Sequence, residues 1–156
     1  MTMRQHSRGR GAPRAGLAFL ALVSAVTGAW ALGAPASFFA TFPAPGHPWV
    51  ALLPPYNEHL VRDVGAFNLA FALLFAWAAV SLARPLVQAA LVAYLTYAVP
   101  HLVYHMGHLM RFSLGDAVAQ TIALLIVVAI PLALLAGAGR SPRTPLTDRE
   151  GGMQRA

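Results

Sequence analysis

The sequence predicts an all-α fold, a bundle of four transmembrane helices carried between basic tails. Three observations predict it. Hydrophobic residues make up 58% of the 156-residue chain and charged residues only 10%, a balance too apolar for a soluble domain of this size. The apolar residues gather into four stretches of about 20, enough for helices rising about 1.5 Å per residue to cross about 30 Å of hydrocarbon. The basic residues, all Arg, sit in the tails and short connections, with Arg62 alone just inside the start of a span.

Residues 1–14 are polar, basic and glycine-containing with nothing to bury, so a disordered tail is expected there. Residues 15–33 form the first span, interrupted only by Ser24, Thr27 and glycines. A cleaved signal peptide is the rival reading, because a basic segment precedes the apolar run and Ala34-Pro35-Ala36 resembles a small-x-small site; the long apolar core and the proline argue against it. Residues 34–60 hold six prolines with Phe38, Phe39, Phe42, Trp49 and Tyr56 between them, which rules out a continuous helix and predicts a long loop capping one end of the bundle. Trp49–Leu53 either lies along the membrane interface or tucks back against the helices.

Asn57 and Glu58 read as an N-cap and a first-turn acid opening the second span, residues 61–83. Within it Gly65, Asn68, Ala72, Ala76 and Ala79 make a small-residue stripe suited to close helix packing. Arg84-Pro85 leaves so short a connection that the third span, residues 86–109, must run antiparallel beside the second. Pairing numbers that sum to about 169 brings Glu58–Asp63 level with His105–Met110 and Asn68 level with His101. A short turn leads to the fourth span, residues 116–136, where Ser113-Leu-Gly-Asp116 matches a capping pattern. Residues 137–156 read as a second disordered tail.

Arg4, Arg8, Arg10, Arg14, Arg84, Arg140, Arg143, Arg149 and Arg155 fall on one side of this topology, against Arg62 and Arg111 on the other. Positive-inside bias then makes both termini cytoplasmic in a multi-pass protein of the cell membrane. The formal charge of +6 is explained by that bias, so no nucleic-acid partner is expected. The expected partners are the lipid bilayer and other membrane subunits or a second copy of the chain. With no cysteine, disulfides, thiolate metal sites and thiol redox chemistry are excluded.

Chemistry concentrates near the end of the third span. Tyr94, Tyr97, His101, Tyr104, His105 and His108 fall within an arc of about 100° on a helix, and lipid offers such groups no hydrogen-bond partner, so the stripe should face protein. His101, His105 and His108 at i, i+4 and i+7 suit a metal, and His59 and Asp63, level with them on the second span, complete a candidate site for Zn, Cu or Fe. Asp63 and Asn68 lie about 140° apart on their helix and cannot both point there. Asp63 is taken as the partner, leaving Asn68 to an interhelical hydrogen bond near His101. Haem b is a second use, though His59 is the one ligand available from another helix. Proton handling is a third. The structural alternative is that the stripe only anchors the helix end in an aromatic belt. No P-loop, Rossmann, H-E-x-x-H or G-x-S-x-G pattern occurs, and the halves show no internal repeat.

With Asn57-Glu58-His59, Asp63-Val64-Gly65 and Pro100-His101-Leu-Val-Tyr104-His105 placed, the chain resembles the small four-helix bacterial membrane proteins grouped as DoxX-like over residues 15–136. The resemblance lies in size, topology and polar placement. It implies an architecture and an accessory-subunit role, and no activity. The reading is thus an accessory or binding protein whose extracytoplasmic cluster holds a transition metal. A membrane redox enzyme or haem subunit using that cluster, and a purely structural membrane subunit, are its rivals.

Overall fold

A computed structural model describes residues 3–53 and 55–139. Five α-helices follow in order: α1 (Met3–Gly33), α2 (Pro35–Thr41), α3 (Glu58–Ser81), α4 (Arg84–Met106) and α5 (Leu114–Gly139). Between α2 and α3 lies a two-stranded antiparallel hairpin, β1 (Pro43–Ala44) and β2 (His47–Pro48), and one 3-10 turn joins α4 to α5. Each of α1, α3, α4 and α5 contains a segment long and apolar enough to cross a membrane, and the fold is a four-helix membrane bundle.

Two element boundaries differ from expectation. Residues 3–14 are helical and continue α1, where a structureless tail is expected from composition. Extending a formed helix gains a hydrogen bond for each residue ordered and avoids the nucleation cost, and Pro13 removes only one such bond. At the other end α5 continues to Gly139, and the expected tail from 140 onward lies outside the described residues.

Helices α1 and α3 form the tightest pair. A methyl group added at Gly28 would sit 2.8 Å from the Leu69 amide nitrogen, and one at Gly65 would sit 2.5 Å from that of Leu32. The backbones touch because neither residue has a side chain to hold them apart. The predicted small-residue stripe is therefore an interface with α1, of which Gly65, Asn68, Ala72 and Ala79 are buried members while Ala76 is exposed. The two helices also cap each other. Arg14 on α1 donates to the carbonyls of Ala79 (3.0 Å) and Val80 (3.4 Å) at the end of α3, while Arg62 on α3 donates to the Leu32 carbonyl at the end of α1. Each guanidinium supplies donors to carbonyls that their own helix leaves unpaired.

Asn57 accepts from the Leu60 amide at 3.1 Å and caps α3 as its sequence suggests. The chain then reverses at Leu82, whose left-handed φ of 50° ends α3, and Pro85 stands in the first turn of α4, where its missing N–H costs nothing. Tyr94 of α4 meets Phe71 and Phe75 of α3 with ring centroids 5.2 Å apart in each case, close to the register that the short connection dictates. Leu17, Leu20, Phe75, Leu91, Tyr94 and Val128 fill the main core. Outward positions are also apolar, among them Phe67, Leu73, Trp77, Val80 and Ile122, as lipid contact requires.

The segment 34–57 closes one end. Pro35 starts α2, which tolerates proline in its first turn, and carries Phe38 into a smaller core with Ala31 and Val61, edged by Trp30, Phe39, Phe42 and Val50. The hairpin turns at Gly46, whose φ of +87° favours glycine. Trp49, Val50 and Leu53 tuck inward rather than lying flat at the interface.

Candidate functional site

Beneath this cap lies a cavity of about 410 Å³ that the four long helices and the cap line together. Its walls are mostly apolar, with Val23 of α1, Phe38 of α2, Val61 of α3, Ala98 of α4 and Leu124 of α5 among them. Polar side chains interrupt those walls on several elements, among them Thr27 of α1, Asn57 and Asn68, Tyr97, His101 and His105 of α4, and Gln120 of α5. Among the described residues no carboxylate and no arginine lines it.

The α4 stripe supplies one wall, as its helical spacing predicts for most of its members. Tyr94, Tyr97, His101 and His105 follow one another as a ladder of rings, Tyr97 stacked on His101 at 5.3 Å and His101 edge-on to His105 at 4.6 Å. Tyr94 and His105 are buried and the other two half-buried. His108 leaves the stripe. Helix α4 ends at Met106, so His108 lies in the following turn, stacked on Tyr104 at 4.2 Å with its Nδ1 donating 2.7 Å to the Tyr104 carbonyl. Its i+7 spacing has no helical meaning past the helix end.

The metal arrangement expected from sequence is not formed. His59 and Asp63 sit at the expected depth but on the opposite face of α3, with side chains 88% and 50% exposed. His59 Nε2 lies 3.4 Å from Asp63 Oδ2, so the pair engages itself. Among the described residues no three His, Cys, Asp or Glu side chains gather around a common point. The physical reason is rotational: α3 turns Val61, Gly65, Asn68 and Ala72 inward to meet α1, which leaves positions 59 and 63 about 200° from Val61. Of the two polar residues on α3 that could not share one direction, Asn68 is the one facing α4. Its Nδ2 donates to the Val64 carbonyl of its own helix at 2.9 Å, so the interhelical hydrogen bond expected near His101 is not formed among the described residues. A haem held between two helices would lose its second ligand by the same rotation, since His59 is outside the cavity.

Two features were not read from sequence. Gln120 is 1% exposed, its Oε1 lies 2.7 Å from His105 Nδ1, and its Nε2 has no hydrogen-bond partner. The signal was available: an amide inside a transmembrane stretch needs a partner for the same reason an imidazole does. The second is the fastening of the cap. Asp116 accepts from His47 Nδ1 at 2.7 Å and from Trp49 Nε1 at 2.8 Å on one oxygen, and from the Ser113 hydroxyl at 2.8 Å on the other. The Asp116 amide returns a bond to Ser113 Oγ at 3.1 Å, completing the predicted capping pattern. One carboxylate thus ends a turn, opens α5 and ties the hairpin over the cavity. No short-range pattern links His47 or Trp49 to a residue nearly seventy positions away.

No family model, curated protein or solved structure matches this chain. The fold and the cavity together define a multi-pass four-helix membrane protein with a mainly apolar cavity among its helices.

Proposed function

We propose that this protein is a membrane-embedded binding protein that holds a neutral, mostly apolar small molecule in the capped cavity. The observation that carries this reading is the cavity itself: about 410 Å³, walled by all four long helices and apolar over most of its lining, with a minority of polar side chains set into it. That is the pattern of a ligand site, where apolar area supplies affinity and a few convergent polar groups set orientation. Without a lining carboxylate or arginine, a charged ligand would enter uncompensated, so the occupant is neutral. The tail and connection arginines support an orientation with both termini in the cytoplasm of a cell membrane and the cap outside. The architecture is compatible with the DoxX-like resemblance, which adds no ligand.

Protein reconstituted in lipid nanodiscs should bind a radiolabelled aliphatic probe such as dodecanol saturably, one molecule per chain. Leu124→Trp, which projects a larger ring into the chamber, should weaken that binding at least about tenfold while leaving the helical circular-dichroism spectrum unchanged. Equal binding by the filled variant would refute the reading.

A further inference from the structure

We infer that the ligand carries one neutral polar head, an alcohol or a carbonyl, that hydrogen-bonds to the imidazole of His101; this deepens the cavity reading above and rests on it. His101 lines the chamber from α4. Its ring is held on two sides, stacked on Tyr97 at 5.3 Å and edge-on to His105 at 4.6 Å. Those contacts use neither ring nitrogen, and His101 makes no side-chain hydrogen bond among the described residues. Both nitrogens keep accessible surface, whereas Ser24 Oγ and Gln120 Nε2 are sealed off. The other amides and the other imidazole of the lining are engaged: Asn57 Oδ1 by the Leu60 amide, Asn68 Nδ2 by the Val64 carbonyl, and His105 Nδ1 by Gln120 Oε1. The lining hydroxyls turn about their C–O bonds to meet a partner, which a ring held on two sides cannot do.

That one free group selects chemistry. A neutral imidazole offers one donor and one acceptor, and its proton sits on either nitrogen, so the nitrogen facing the ligand takes either role. It donates to a carbonyl or accepts from a hydroxyl with one bond. A hydrocarbon pairs with neither nitrogen. A carboxylate or ammonium head would bring a charge that no lining carboxylate or arginine offsets. An imidazole left unpaired inside a membrane bundle is costly, so the head that pairs with it is favoured over a hydrocarbon of the same length.

The test binds 1-dodecanol, 2-dodecanone and dodecane to the full chain in nanodiscs, each corrected for partition into protein-free discs. His101→Phe keeps a ring against Tyr97 and His105 and removes the hydrogen bond. The alcohol and the ketone should each bind that variant about three- to tenfold more weakly, the worth of one hydrogen bond, while dodecane stays within about twofold. A second measurement needs no variant: in protein with isotope-labelled histidine, the nitrogen NMR resonances of the His101 ring should move on adding dodecanol and stay in place on adding dodecane. Equal weakening of all three probes in folded His101→Phe, or unchanged alcohol and ketone affinities there, would overturn the assignment. The cavity reading would still stand if Leu124→Trp weakened all three. Should His101→Phe fail to fold, ring resonances that respond alike to dodecanol and dodecane would overturn the assignment instead. Absence of saturable binding by every probe would defeat both.

Discussion

At the scale of single residues, polar side chains in this bundle divide into those that are paired and those that are not, and the division sets what substitution does. Ser24 is 1% exposed on α1 and its hydroxyl has no partner. Because the buried hydroxyl is unsatisfied, Ser24→Ala should leave stability unchanged or raise it by up to about 1 kcal/mol in detergent unfolding. His59 and Asp63 satisfy one another in the open, so His59→Ala and Asp63→Ala should leave ligand binding within twofold of the unsubstituted protein, measured in the same nanodisc assay. This is where sequence reasoning met its limit. Helical periodicity placed Tyr94, Tyr97, His101 and His105 on one protein-facing stripe, because all four lie within one uninterrupted helix. It took Asp63 rather than Asn68 as the inward residue, whereas the rotation of α3 about its own axis is fixed by a third helix, through Gly28 and Leu32, and turns Asn68 to the cavity.

At the scale of elements, the pair α1–α3 is held by backbone contact and the cap by one carboxylate. Gly65→Ala should destabilise the bundle by about 1–3 kcal/mol, because its methyl group would overlap the Leu32 backbone, which cannot yield as a flexible side chain can. Gly33→Ala is the control: nothing lies within 4 Å of its added carbon, and stability should change little. For the cap, Asp116→Ala removes the acceptor shared by His47 and Trp49, so backbone amides of residues 47–53 should exchange with deuterium faster while those of α3 and α4 do not. The four long helices were legible because span length and the short connection at Arg84-Pro85 are local properties. The cap was legible only as a proline-rich segment. Its short helix and hairpin depend on Phe38 and Trp49 finding a core that other elements build.

At the scale of the whole molecule, apolar residues serve two surfaces. Leu73, Trp77 and Val80 point outward, a surface compatible with lipid, while Val61, Ala98, Leu124 and their neighbours line an interior chamber. A bundle that only anchored other subunits would gain packing energy from filling that chamber. On the proposed reading, keeping it open beneath a tied cap gives the protein a place for a ligand. The most direct measurement is photolabelling of the nanodisc-embedded protein with a diazirine-bearing dodecanol, followed by residue-level mass spectrometry. The account predicts adducts on chamber residues such as Tyr97, His101 and Leu124, competed away by excess dodecanol. Labelling confined to the lipid-facing Leu73, Trp77 and Val80, and insensitive to competitor, would contradict it.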